Sequence, residues 1–212
     1  SRGLGDVYKR QVVCSDNHDQ IGNRADGRRL ATMVSRDRLA VAAALTILGP
    51  GTPMIFQGEE WGSRQPWMFF TSHPEEELGQ AVSEGRKKEF AKMAWDLDAV
   101  PDPQDPATFH GSKVAWHELD DADHAGLLGW YKCLIEVRRS YEAFTSPDFA
   151  GAARGDEWFV ARRGDAVIAV NFGAEELTLP VSGRLVAEWG RADDTDELVL
   201  GSASIAVLVD VE

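Results

Sequence analysis

The chain has 212 residues, with 22 Lys and Arg against 35 Asp and Glu, a formal net charge of −13, and 43% hydrophobic side chains. That balance excludes a nucleic-acid partner, which needs a basic face, and equally an anionic membrane surface. The longest apolar run, Leu39 to Leu48, is far short of the roughly 20 residues that cross a bilayer. Two cysteines, Cys14 and Cys133, make neither a disulfide framework nor a zinc cluster and suit a reducing, cytoplasmic setting.

Ser1 to Gln11 has no period and joins abruptly to an apolar run. It reads like translated adapter sequence and is expected to be foreign to the fold, with the natural chain beginning upstream. Val12 to Ser15 is a short buried strand that stops at Asp16-Asn17-His18-Asp19. Gln20 to Val34, polar and carrying Gly22 and Gly27, reads as loop. Ser35 then caps a helix with Asp37 in its first turn, and the apolar Leu39 to Leu48 buries that helix on more than one side. Gly49-Pro50-Gly51 ends it. Thr52 to Phe56 is a second apolar strand, followed by Gln57-Gly58-Glu59-Glu60-Trp61-Gly62. Strand, buried helix and strand make a βαβ unit, so the two strands are expected to be parallel. Both place polar groups at the strand end where ligands bind in parallel α/β folds.

Ser72-His73-Pro74-Glu75 reads as a capping box that starts a helix running to about Met93. Val100 to Thr108, with its three prolines, reads as an ordered loop. Leu127, Leu128, Tyr131, Leu134 and Ile135 have helical spacing and predict an amphipathic helix ending near Arg139. From about Phe144 the pattern changes to five short β-rich runs, at Trp158–Ala161, Ala166–Phe172, Leu177–Val181, Arg184–Trp189 and Ser204–Val209. These predict a small antiparallel β-sandwich over residues 144–212, after an α/β part over residues 12–143.

Asn17-His18-Asp19 is the sharpest candidate site. A carboxylate beside an imidazole at a strand mouth can stabilise developing positive charge or orient a hydroxyl. Its Asp and Asn can equally serve only to satisfy loop backbone groups. The pair Glu59-Glu60 fits a loop locked by an arginine better than it fits catalysis. Trp61, Trp67, Phe69 and Phe70 make either a platform for the apolar faces of sugar rings or a satellite core. Arg86-Lys87-Lys88 reads as a solvated helix face. His110, His117 and His124 lack compact ligand spacing, and Gly49-Pro50-Gly51 lacks the lysine of a phosphate loop. No cofactor or metal is expected.

Asn17-His18-Asp19 and the run from Gly51 to Glu60 together resemble two conserved blocks of the α-amylase superfamily of glycoside hydrolases, at the ends of the seventh and eighth barrel strands. Within it, the runs Asn17–Arg24, Phe69–Ala91 and Val100–Lys113 are similar to the hydrolases that release trehalose from maltooligosyl trehalose. The resemblance implies the C-terminal part of a (β/α)₈ TIM barrel followed by a small antiparallel β-sandwich domain. It implies retaining cleavage of an α-1,4-glucosidic bond in an α-glucan substrate. Asp19 is then the third catalytic carboxylate, and Asn17, His18, Gln20 and Trp61 contact substrate. A retaining enzyme also needs a nucleophile and a general acid about 5–5.5 Å apart. In this superfamily they follow the fourth and fifth strands, which are expected upstream of residue 12. Asp16 departs from the pattern and reads as an adventitious substitution. Other expectations are a glucan branching enzyme, an α-glucosidase, or a non-catalytic glucan-associated module.

Overall fold

The computed structural model describes residues 11–92, 100–146, 151–190, 192–194 and 197–211; residues 1–10 of the segment expected to be foreign lie outside them. The two apolar runs flanking the buried helix form β1 (Val12–Val13) and β2 (Thr52–Pro53). They pair in parallel, with Val12 opposite Thr52 and Val13 opposite Pro53. Both strands are shorter than the apolar runs. After Met54, whose N–H still reaches the Val13 carbonyl at 2.8 Å, the Phe56 N–H turns to the Glu59 carboxylate at 3.0 Å.

The stretch read as loop opens inside a short helix, α1 (His18–Gly22). Asn17 creates it: its backbone is extended and its Oδ1 accepts the Gln20 N–H at 2.8 Å. The next helix, α2 (Arg36–Leu48), starts as expected, with Ser35 Oγ accepting the Arg38 N–H at 3.3 Å. Helix α3 (Glu76–Lys92) starts three residues later than a helix capped by Ser72 would, and its expected end at Met93 falls outside the described residues. The proline-rich segment read as loop holds α4 (Pro106–Gly111). Asp105 caps it by accepting the Ala107 N–H at 2.8 Å, and Pro106 takes the first position, where a missing N–H costs nothing. Helix α5 (Ala122–Ser140) contains the amphipathic pattern, and α6 (Glu142–Thr145) follows.

The strands are β3 (Gly151–Arg154), β4 (Trp158–Arg163), β5 (Ala166–Asn171), β6 (Leu177–Leu179), β7 (Arg184–Trp189), β8 (Ala192–Asp194), β9 (Leu198–Leu200) and β10 (Ser204–Val209). They form two antiparallel sheets, of order β3-β4-β5-β10-β7 and β6-β9-β8. Strands β3, β8 and β9 are additional to the five runs read from sequence.

The described chain divides into two compact units. The first holds the described residues of Ser1–Ser15, Ser35–Met54 and Ala125–Glu212. Its centre is the strand pair β5 and β10, in which every residue is buried. Alternation explains why both strands read as continuous apolar runs. Ile168, Val170, Ile205 and Val207 face α2 and α5 through Ile47 and Leu134. Val167, Ala169, Ala206 and Leu208 face the small sheet through Leu179, Leu198 and Leu200. Each such aliphatic side chain contributes about 1.5–3 kcal/mol by leaving water. Helix α2 ends on arginines. Arg163, 1% exposed, donates to the Leu48 and Ser146 carbonyls at 2.6 and 2.5 Å. Arg138 donates to the Gly49 and Gly51 carbonyls at 3.1 Å each. Cations there suit the negative end of the helix dipole.

The second unit holds Asp16–Val34 and Ile55–His124. Its small core gathers Ala25, Phe90 and Val100. Arg86, read as part of a solvated face, instead packs over the Phe69 and Phe90 rings at 4.8 and 4.5 Å and donates to Asn23 Oδ1 and the Gly22 carbonyl. Lys87 and Lys88 beside it are exposed. The guanidinium plane stacks on aromatic faces where an ammonium would stay hydrated.

Candidate active site

All the candidate residues belong to the second unit. Asp16, at its start, is 4% exposed. Its Oδ2 accepts the Leu30 N–H at 2.9 Å and its Oδ1 lies 3.5 Å from Arg24 Nη1. Burial pushes its carboxyl above the ordinary carboxylate range, against the Leu30 hydrogen bond and the charges of Arg24 and Arg29. The adventitious reading is thereby corrected: Asp16 closes the loop between residues 16 and 30.

With Asp16 folded inward and Asn17 committed to the cap, the next residues turn outward. His18 and Asp19 side chains are 63% and 75% exposed, and His18 Nε2 stands 3.4 Å from Asp19 Oδ1. Gln20 is exposed beside them. The first turn of α1 therefore presents a carboxylate, an imidazole and an amide together. Asn17 shapes this cluster through its cap bond, which engages its side-chain oxygen.

The Trp67 ring meets His18 edge to face, with centroids 6.4 Å apart, and meets Phe56 at 5.5 Å. Trp67 is held by its own backbone: its N–H donates to the Gly27 carbonyl at 2.8 Å. Gly27 has φ +62, and a Cβ there would stand 2.6 Å from the Trp67 carbonyl oxygen, so only glycine fits.

The second polar exit is a 3₁₀ turn, Glu59–Trp61, between left-handed Gly58 and Gly62. An arginine does lock this loop, but through carbonyls. Arg29, 3% exposed, donates to the Gln57 and Gln65 carbonyls at 2.7 and 2.6 Å and lies over the Phe56 ring. Burial pulls its pKa down, opposed by the charges of Asp16, Glu118, Glu60 and Glu59. Sequence reasoning missed Arg29; its one signal was its place in a basic pair, Arg28-Arg29, late in the loop between residues 20 and 34.

Trp61, expected to contact substrate, is 2% exposed. Its Nε1 donates to Glu118 Oε2 at 3.1 Å, and its carbonyl lies 2.7 Å from His124 Nδ1. Its ring lies against Trp116, with centroids 5.1 Å apart and planes 34° from parallel. It presents no stacking face of its own. Burial works to raise the Glu118 pKa, and hydrogen bonds from Ser63, the Arg64 N–H and Trp61 outweigh it and leave the group low. Among the described residues no group of three or more His, Cys, Asp and Glu could hold a metal ion.

A family model described as a domain of unknown function (DUF3459) matches residues 148–207. The malto-oligosyltrehalose trehalohydrolase of Rhizobium sp. (strain M-11) is 49% identical over 176 residues, which are 81% of this chain and 30% of the relative. That of Brevibacterium helvolum is 46% identical over 209 residues, 93% of this chain and 35% of the relative. The crystal structure of a Salmonella typhimurium protein assigned as an α-amylase superposes with a TM-score of 0.76 at 30% identity, over 93% of this chain and 35% of that one. The chain thus spans about a third of the length of these relatives. The architecture is part of a (β/α)₈-barrel chain joined to a small antiparallel β-sandwich. No described helix is long and apolar enough to cross a membrane.

Proposed function

We propose that this chain, which belongs to the malto-oligosyltrehalose trehalohydrolase family of the α-amylase superfamily, is a segment of a glycosidase that hydrolyses the α-1,4-glucosidic bond next to the terminal trehalose of maltooligosyl trehalose. The observation that carries this reading is the exposed Asp19 carboxylate, held 3.4 Å from His18 on the first turn of a helix that Asn17 caps. An oxocarbenium-like transition state spreads positive charge over the ring carbon and ring oxygen. A fixed carboxylate that touches the neighbouring hydroxyls favours that state over the neutral ground state. His18 and Gln20 supply hydrogen bonds to the same sugar. Neither the nucleophile nor the general acid is assigned among these residues; a retaining mechanism takes both from a longer chain. Among the described residues Cys14 and Cys133 form no disulfide, which fits a cytoplasmic enzyme.

The test is product analysis of maltooligosyl trehalose treated with the full-length hydrolase and with its Asp19→Asn form. Trehalose release with kcat lowered about 10²–10³-fold in the variant is expected. A variant with near-normal kcat and only a raised KM would reduce Asp19 to a binding group. Transfer to α-1,6 branches without trehalose would point to a branching enzyme.

A further inference from the structure

Helix α1 carries His18 and Asp19, yet it is only five residues long. Helices shorter than roughly 12–15 residues are marginal in water by themselves, because the first turn fixes several residues for one hydrogen bond. The position of Asp19 is therefore set by whatever holds the two ends of α1. Asn17 holds the first end through its cap bond to the Gln20 N–H. At the second end the last carbonyls have no partner within the helix. Asp19 belongs to that end as well, since its carbonyl accepts the Asn23 N–H at 3.1 Å. The side chain that closes it comes from α3, 64 residues along the chain. Arg86 donates to the Gly22 carbonyl and, at 3.2 Å, to Asn23 Oδ1.

Arg86 is itself fixed. Its side chain is 12% exposed, and its Nη1 also donates to Glu89 Oε2 at 3.0 Å, nearly one turn further along α3. The two rings beneath the guanidinium anchor it to the small core of this unit, through Phe90. The Trp67 ring packs against the same end of α1: a Cβ on Gly22 would stand 2.9 Å from it. A cation there suits the negative end of a helix. A planar fork can stack on the rings and still reach two acceptors, which a single ammonium cannot. Such a hold bears directly on chemistry, because shifting a reacting group by about 1 Å can lower a rate ~10²-fold.

We propose that Arg86 is a positioning residue for the reaction: it clamps the end of α1 and so holds the Asp19 carboxylate where the transition state needs it. The proposal rests on the glycosidase reading for the chemistry. Arg86 acts through the Gly22 and Asn23 groups and not by touching substrate.

The test is a double-mutant cycle in the full-length hydrolase, read as trehalose release from maltooligosyl trehalose. Arg86→Lys keeps an aliphatic stem over the two rings and gives up the fork. It should lower kcat about tenfold and leave KM within about twofold, the pattern of an interaction made in the transition state. In the Asp19→Asn background the same substitution should lower kcat less than about threefold, because the group it positions is gone. A protein that is merely less well folded loses the same factor in both backgrounds, so equal losses overturn the proposal. Asn23→Ala, at an exposed position, removes one acceptor and leaves the rings in place. It should lower kcat by a smaller factor and add nothing to Arg86→Lys. Hydrogen exchange of the same protein reads the clamp without catalysis. The peptide spanning α1 should exchange about tenfold faster in Arg86→Lys, with β5 and β10 unchanged. Unchanged exchange of α1 overturns the clamp. Trehalose release with normal kcat in Arg86→Lys overturns the positioning role and leaves the glycosidase reading intact. Faster exchange of α1 in Arg86→Lys, in a full-length protein that releases no trehalose, supports the clamp and overturns that reading.

Discussion

Asp16 reaches across its own loop to Leu30: its Oδ2 accepts the Leu30 N–H at 2.9 Å, fourteen residues along the chain. The same bond that turns Asp16 inward leaves His18 and Asp19 facing water. Asp16→Asn keeps an acceptor for Leu30 without a buried charge, and should melt close to the wild type at pH 7. Asp16→Ala leaves that N–H without its acceptor and should cost about 1–3 kcal/mol.

The same carboxylate carries a pH signature. Its folded pKa lies above the ordinary value, so the folded state binds the proton more tightly than the unfolded one. Stability from this group therefore grows as pH falls from the folded pKa toward the ordinary value, and is lost as pH rises through that window. Thermal melts across the acidic range should show this component in the wild type and not in Asp16→Asn. Identical pH profiles for the two would mean that Asp16 is not held inside.

Arg163 should be the most sensitive cation in the first unit. It joins the end of α2 to the Ser146 carbonyl while 1% exposed. Arg163→Met removes two bonds from a charged donor and should cost about 2–4 kcal/mol in chemical denaturation. Arg163→Lys should not rescue it, because a single ammonium cannot reproduce the fork. Full stability in Arg163→Lys would show that charge alone matters there.

Hydrogen exchange should rank the strands by coverage. Amides of β5 and β10, buried on both faces, should be the slowest. Those of β1 and β2 should exchange quickly, because Val12 is 62% exposed and the pair has two residues on each side. Strong, uniform protection of Val13 and Met54 would overturn this ranking.

On the proposed reading of Asp19 as an electrostatic carboxylate, the 212-residue chain by itself should release no trehalose, because that role does not replace a nucleophile and an acid. Turnover above a buffer blank that Asp19→Ala abolishes would contradict this.

Local signals made much of the fold readable. Ser35 precedes an apolar run, and the helix begins there. The continuous apolar runs around Ala166 and Ser204 are strands. What escaped was what depends on distant partners. Asp16 looked out of place because Leu30 and Arg24, which give it a purpose, are not its neighbours. Trp61 looked available because Glu118, 57 residues away, is what draws it inward. Arg86 looked solvated because the rings of Phe69 and Phe90 are invisible in a charge run. Strand β3 has the sequence Gly-Ala-Ala-Arg, with little β preference of its own, and exists because β4 offers it an edge.

The start of α2 is tied to β7 at Trp189, whose Nε1 donates to Asp37 Oδ1 at 2.8 Å, across 152 residues, and whose ring lies under the Arg36 guanidinium at 5.5 Å. A ribosome working at about 5–20 residues per second needs roughly 8–30 s to make the stretch between them. Through that interval α2, apolar almost all round, has been synthesised but lacks the sheet that will cover it. Nascent chains must pass through this window on every round of synthesis, so yield in the cell should depend on holding chaperones more than the final stability would suggest.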